Sequence, residues 1–395
     1  MFIEREAGRQ LKELAKQFPV VAVLGPRQSG KSTLTKASFP DYAYVSMENL
    51  AIRSRAQEDP EGFFATYASQ PGLIIDEMQE APELFSYLQG IVDQEYKPGR
   101  FIVTGSQNFL LHEKISQTLA GRIALLTLLP LTINELQASN LLPATLEELL
   151  FKGCYPRPYV QPFDIHQWFA NYTSTYVEKD VRQITNITDV VAFQRFLILC
   201  AARVGNILNY AQIARDCDIS PNTAKAWISL LESSYIITLL QPYYKNYNKR
   251  IIKSPKLYFY DTGLVCDLLG IQSARELHTH TIRGALFESL IVSQICKYRF
   301  NQGEKPHLYY WRDIQGHEID CIIEKSHEEA VPLEIKSSMT MHKNFFKGLE
   351  DWNEITQQKS LAYVVYAGKE DFLGTHGQTY SWVHLREMLE KMYAR

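Results

Sequence analysis

"GPRQSGKS", Gly25 to Ser32, decides how the rest of the chain is read. It fits the spacing G-x-x-x-x-G-K-[ST], and its surroundings agree. "VVAVLG" (20–25) before it is an apolar run with the length of a buried strand, and "KSTLTKASF" (31–39) after it reads as a helix. Glycine at both ends lets backbone N–H groups wrap an anion with no Cβ in the way, and a helix start adds positive potential. In this pattern Lys31 reaches the β- and γ-phosphates of a nucleotide, and the Ser32 hydroxyl ligates Mg²⁺. The candidate nucleotide-binding residues are Gly25, Pro26, Arg27, Gln28, Ser29, Gly30, Lys31, Ser32 and Thr33, and the implied cofactors are ATP and Mg²⁺.

Working outward, "YAYVSM" (42–47), "LIIDE" (73–77) and "FIVTGS" (101–106) read as further buried strands. "DPEGFFATYA" and "APELFSYLQGIVDQ" read as helices between them. Such alternation predicts an α/β fold with a parallel sheet and right-handed crossovers. "GLIIDE" then supplies the acids a metal-nucleotide site needs. Asp76 at the strand end would hold Mg²⁺ through water, and Glu77 would polarise the attacking water. The strand "FIVTGS" would bring Thr104 and Ser106 beside the terminal phosphate. Arg27 in the loop, and Arg122 in "LAGR" acting in cis or in trans, are candidate phosphate contacts.

The whole chain has 395 residues, enough for two or three domains, with 46% hydrophobic and 22% charged residues. A net charge of -3 excludes a global attraction to nucleic acid or anionic membrane, so any basic surface must be local. The cysteines at 154, 200, 217, 266, 296 and 321 form no C-x-x-C pair and read as reduced core residues. "MFIEREAGRQ" has charge where a secretory signal has an apolar core, and "IALLTLLPLTI" (123–133) is broken by Pro130. A soluble cytoplasmic protein without a membrane partner is expected.

Pattern changes divide the chain into 1–140, an α/β domain, 141–275, mostly helical, and 276–395, α+β. In the middle stretch, "YAQIARDC" (210–217) and "SPNTAKAWISLLESS" (220–234) read as two helices, with Ser220 as N-cap and Pro221 at the first helical position. The pair, with the following "YIITLL", resembles a winged helix-turn-helix. That resemblance places Asn222, Thr223 and Lys225 at the reading end of the second helix. A basic wing follows, with Lys245, Lys249, Arg250, Lys253 and Lys256 interleaved with Tyr243, Tyr244 and Tyr247. The alternatives are a lid or docking surface, and a solvated lysine face.

Four strings, "GPRQSGKST", "DEMQEAPELF", "TGSQNF" and "LAGRIALLTLLPLTINEL", resemble AAA-type P-loop ATPases of bacteria and archaea, in the subgroup with a C-terminal domain of unknown function. "YPRP" (155–158), "TYVEKDVRQI" and "KSPKLYFYDTGL" resemble the latter part of that subgroup. The resemblance spans nearly the whole chain and implies the P-loop NTPase fold and ATP binding.

The C-terminal stretch raises a second possibility. In "EIDCIIE" (318–324), Asp320 shares a face with Glu318, with Ile319, Cys321 and Ile323 opposite. In "VPLEIKS" (331–337), Glu334 and Lys336 share a face. A hairpin would set Asp320 against Glu334, and two facing carboxylates repel unless a cation lies between them. With Glu288 on "GALFESLIVSQICKYRF", the order resembles the PD-(D/E)XK nuclease fold, a restriction-endonuclease-like α+β domain, with Ile319 standing where a proline is usual. The resemblance implies metal ligands Asp320 and Glu334, with Glu288 and Lys336 completing the site. Alternating charge on a wet sheet face is the plain alternative. His278 and His280 have no partner cluster in sequence and read as a surface loop.

Two functions stay open at this level. One is an ATP hydrolase whose nucleotide state moves a DNA-binding module, with DNA cutting as a further expectation of the nuclease resemblance. DNA would then contact residues 210–256 and the C-terminal domain, and a homo-oligomer is allowed. The other is a nucleotide switch whose C-terminal half binds a protein partner without cutting.

Overall fold

The computed structural model describes residues 2–106, 119–176, 189–243, 254–313, 315–326, 329–356, 361–374 and 377–394. The first unit runs α1 (Ala7–Ala15), β1 (Val20–Leu24), α2 (Lys31–Ser38), β2 (Ala43–Ser46), α3 (Leu50–Glu58), α4 (Pro60–Thr66), β3 (Leu73–Asp76), α5 (Leu84–Gln94), β4 (Phe101–Gly105), β5 (Ile123–Thr127) and α6 (Ile133–Ala138). Its sheet has the order β2-β3-β4-β1-β5, and every pair in it is parallel. Strands β1, β3 and β4 are buried along their whole length, as a sheet covered on both faces requires. The apolar run at 123–133 contains a strand the sequence reading did not separate out, β5, which pairs with β1 in register from Val20↔Ile123.

The middle stretch holds α7 (Leu146–Lys152), α8 (Arg157–Val160), α9 (Ile165–Tyr176), α10 (Val190–Ala201), α11 (Tyr210–Asp216), α12 (Pro221–Ser233), β6 (Ile237–Pro242), β7 (Lys256–Phe259) and α13 (Thr262–Leu268). Ser220 caps α12 by accepting from Thr223 N at 3.0 Å, and Pro221 opens the helix. The remainder comprises α14 (Arg283–Asn301), β8 (Leu308–Arg312), β9 (Glu318–Glu324), β10 (Ala330–Lys336), α15 (Lys347–Thr356), β11 (Tyr363–Tyr366), β12 (Phe372–Leu373), β13 (Gln378–Ser381) and α16 (Leu385–Tyr393). Its sheet takes in β6 and β7 from the middle stretch, in the order β12-β13-β11-β10-β9-β8-β6-β7. The junction is the parallel pairing of β6 with β8, Gln241↔Tyr309.

Helix α14 explains why the two sheets form one body. It is buried on nearly every side and packs on β5 and α1 of the first unit and on β7 and β10 of the second sheet. Two of its buried polar groups tie it to the first unit. Lys297 Nζ donates to Leu131 O at 3.0 Å, and Gln294 Oε1 accepts from Ile133 N at 2.8 Å.

Candidate functional site

The loop 25–30 leaves the C-terminal end of β1, which lies between β4 and β5. Close approach demands glycine at Gly25, where a Cβ would sit 2.1 Å from Leu128 O. Gly30, at φ +97°, takes the left-handed conformation that turns the chain into α2. Lys31 is buried and donates to Gly25 O at 3.0 Å and Pro26 O at 2.9 Å. A cleft of about 330 Å³ opens over the loop, lined by Gln28, Lys31, Ser32, Thr33, Glu77 and Arg157 among others. Within the loop, the Ser29 hydroxyl is buried with no hydrogen-bond partner among the described residues.

Asp76 closes β3 and is met by three donors: Ser32 Oγ at 2.7 Å, Thr104 Oγ1 at 2.6 Å and Tyr44 OH at 2.8 Å. Burial, and next to it the hydrogen bond to Asp76, push the Tyr44 phenol well above its ordinary pKa. Glu77 follows in a left-handed conformation, φ 53° and ψ 52°, which costs a non-glycine residue about 1 kcal/mol. Strain of this kind persists where surrounding contacts hold it. Here Thr104 Oγ1 accepts from Glu77 N at 3.1 Å, Ser106 Oγ donates to Glu77 Oε2 at 3.1 Å, and the Gln79 amide reaches the same oxygen. Burial works to raise the Glu77 carboxyl, but Lys31, Gln79, Arg27 and Ser106 outweigh it and hold the group below the usual carboxylate range.

The arginines separate. Arg27 pairs with Glu48 at 3.9 Å beside the loop. Arg122 is not brought to the loop. It precedes the N-terminal end of β5, at the end of the parallel strands opposite the phosphate loop, and is paired with Asp93. In cis it therefore lies a full strand length away. Pro156 and Arg157, which sequence reasoning did not assign to this site, reach the cleft from the start of α8.

The structure gathers Glu288, Asp320, Glu334 and Lys336 into one cluster. Strands β9 and β10 pair antiparallel as far as Leu333↔Cys321, after which Asp320 takes the place of a backbone partner and accepts from Ile335 N at 2.8 Å. Lys336 Nζ lies 3.1 Å from Asp320 Oδ2 and also contacts Glu334. The expected two-residue alternation on β9 fails. A register shift against β8, from Tyr309↔Ile322 to Trp311↔Ile319, puts an extra residue into β9. Ile319 then packs with Ile322 and Trp311, while Cys321 and Ile323 face the other core.

A second ammonium joins the cluster, from Lys256 on β7. It is 4% exposed, pairs with Glu288 at 3.3 Å and contacts Glu318. Tyr258, two residues on, donates to Glu288. Burial first and Asp320 second push Glu288 up to about 7 and Glu334 up to about 9. Asp320 moves the other way: burial opposes ionisation, but Lys336, the Glu334 hydrogen bond, Lys256 and Ile335 N hold it below its usual range. Asp320 and Glu334, the expected cation ligands, are both contacted by Lys336 Nζ. Lys256 neutralises the Glu288 and Glu318 side of the cluster, and among the described residues no group of three or more His, Cys, Asp or Glu side chains could hold a metal.

The basic wing is also corrected in part. Lys256 and Tyr243 are buried, the one in this cluster and the other against Trp352, so neither faces a nucleic acid backbone. Tyr244, Lys245, Tyr247, Lys249, Arg250 and Lys253 lie outside the described residues. Asn222 and Lys225 are exposed at the start of α12, with Thr223 half-buried.

Fold and loop together define the first unit as an AAA-type P-loop domain, and residues 17–137 match the family described as AAA domain. Residues 143–275 and 283–384 match two domains of unknown function, DUF8612 and DUF4143. The chain belongs to the family of two mycobacterial relatives, Uncharacterized protein Rv2008c of Mycobacterium tuberculosis and Uncharacterized protein Mb2031c of Mycobacterium bovis. Each is 32% identical over 333 residues, covering 82% of this chain and 72% of the relative. Among solved structures, the Walker-type ATPase PABY2304 of Pyrococcus abyssi is 16% identical with a TM-score of 0.46, covering 68% of this chain and 96% of that one. AMPPCP-bound DnaA from Aquifex aeolicus is 16% identical with a TM-score of 0.31, covering 58% and 89%. No helix among the described residues is long and apolar enough to cross a membrane.

Proposed function

We propose that the chain binds ATP on the 25–33 loop and hydrolyses it with Mg²⁺, and that the nucleotide state controls the C-terminal unit. The observation that carries this is that Lys31, Ser32 and Glu77 line one cleft, with Ser32 Oγ hydrogen-bonded to Asp76 behind it. Gly30, which lines the cleft without a side chain and turns the chain at φ +97° into α2, fits a phosphate group there. Ser32 and Asp76 would hold Mg²⁺, which when bound neutralises charge on the phosphate oxygens. Lys31 exchanges its contacts with Gly25 O and Pro26 O for phosphate oxygens. Glu77, kept ionised by its neighbours, accepts a proton from the attacking water at its carboxylate, with Ser106 and Gln79 fixing its orientation. Nucleotide binding by the wild type and by Lys31→Ala tests the reading. Equal affinity for the two removes it.

For the C-terminal unit, the arrangement of Glu288, Asp320, Glu334 and Lys336 supports a PD-(D/E)XK-like fold, and α11 and α12 support a winged-helix-like module that contacts DNA. The Lys256 ion pairs favour a unit that binds without cutting. Cleavage is the second reading, and a nicking assay with Mg²⁺ or Mn²⁺ separates the two. Nicking by wild type that Asp320→Ala and Lys336→Ala both abolish would establish cutting.

A further inference from the structure

We infer that Arg5 is a positioning residue for the nucleotide site, shaping the phosphate loop from behind; this rests on the reading of that loop as an ATP site. A loop that turns its N–H groups toward an anion must turn carbonyls away from it, and a buried carbonyl needs a donor. Ser29 is fully buried, and its carbonyl accepts from Arg5 Nη1 at 2.6 Å. The same guanidinium donates through Nη2 to Leu129 O at 2.6 Å and through Nε to Glu135 Oε1 at 3.0 Å. Arg5 is 7% exposed, and a Cβ built on Gly30 would lie 3.4 Å from its Nη1, so the side chain stands directly behind the Ser29–Gly30 turn.

The third acceptor is itself fixed. Glu135 closes a capping box at the start of α6, with Thr132 N donating to Oε2 at 2.8 Å, and Glu6 N donates to Oε1 at 2.8 Å. The guanidinium thus staples the phosphate loop to the segment after β5, using three acceptors in three directions. A planar fork can satisfy all three, while the single ammonium of lysine on a shorter reach cannot. Arg5 precedes the AAA domain match, which begins at residue 17, and does not line the nucleotide cleft. Its effect is on the ground from which Lys31 and the loop N–H groups act.

The test is equilibrium binding of a fluorescent ATP analogue to the full chain, for wild type, Lys31→Ala, Arg5→Lys and Arg5→Met, with thermal melts alongside. Loss of a charge-assisted hydrogen bond at the loop predicts affinity weakened about tenfold or more in both Arg5 variants. Millimolar guanidinium should restore part of the Arg5→Met loss and none of the Lys31→Ala loss. A role in stability alone would lower the melting temperature and leave the folded fraction binding as wild type. Folded Arg5→Lys with wild-type affinity overturns the inference while leaving the ATP site standing. Should the Arg5 variants fail to fold, Glu135→Gln, which disturbs the carboxylate that Arg5 Nε shares with Thr132 N and Glu6 N, is read beside Thr132→Ala, which disturbs the cap alone: a loss of affinity in the first and not in the second supports the inference, and no loss in the first overturns it. Wild type that binds no better than Lys31→Ala would bring down the ATP reading and this inference with it.

Discussion

Ser32 Oγ donates to Asp76 Oδ1 at 2.7 Å, joining the end of the phosphate loop to the end of β3 across 44 positions of sequence. The contact holds the serine hydroxyl and the carboxylate at the spacing of two ligands that share one cation. The two side chains should therefore act together and only when the metal is present. Ser32→Ala should weaken ATP binding in Mg²⁺ by about tenfold and leave binding in EDTA nearly as in wild type. Titration of ATP under both conditions reads this. Equal losses in the two would show that the hydroxyl serves the loop's shape and not a metal.

Glu77 offers a cleaner separation of binding from chemistry. Its carboxylate is ionised and oriented by Ser106 and Gln79, while its left-handed backbone is held by Thr104. Glu77→Gln keeps the size and the backbone contact and removes the base. Phosphate release should fall by about two orders of magnitude or more with ATP affinity kept within a few-fold. Undiminished release would assign the water to another group.

Lys256 is a buried cation whose removal leaves Glu288 and Glu318 short of a partner. Breaking a buried pair from one side costs about 3 kcal/mol or more, because a carboxylate is left desolvated. Lys256→Met should lower the urea midpoint accordingly, and adding Glu288→Gln should return part of the loss. Independent, additive effects in that double-mutant cycle would mean that the 3.3 Å contact has no energetic content.

How much of this could be read in the chain follows from how local each signal is. Strands β1, β3 and β4 are short apolar runs closed by glycine or acid, and the loop between β1 and α2 has its own spacing, so fold and phosphate site stand out together. Strand β5 was hidden because "IALLTLLPLTI" continues past its end without a turn signal before Pro130. The β9 register shift cannot be seen in a two-residue alternation, since the extra residue is defined only against β8. Lys256 sits in a run of lysines that looks solvated. What buries it is carboxylates 32 and 62 positions further on, Glu288 and Glu318. Arg5 carries no local pattern at all, because its three acceptors come from Ser29, Leu129 and Glu135.

The carboxylates of the C-terminal cluster predict a pH dependence with a definite sign. Glu334 is pushed up to about 9 and Glu288 up to about 7, by burial and by Asp320, so the folded chain holds protons that the unfolded chain releases near 4.5. Where the folded state binds more protons, stability falls as pH rises. The contribution of these two groups is complete below about 4.5 and is lost as pH climbs through about 7 and then about 9. Asp320 has the opposite sign, and its contribution is lost only on the acid side, below its usual range. Lys256 and Lys336, both raised above the ordinary lysine value, stay charged across the window and add no slope to it. Unfolding free energy should therefore drop by about 2 kcal/mol or more between about pH 5 and about pH 9. Glu334→Gln, which cannot release a proton, should show a shallower fall. Urea unfolding at a series of pH values measures both slopes, and parallel slopes for the two proteins would place the proton elsewhere than on Glu334.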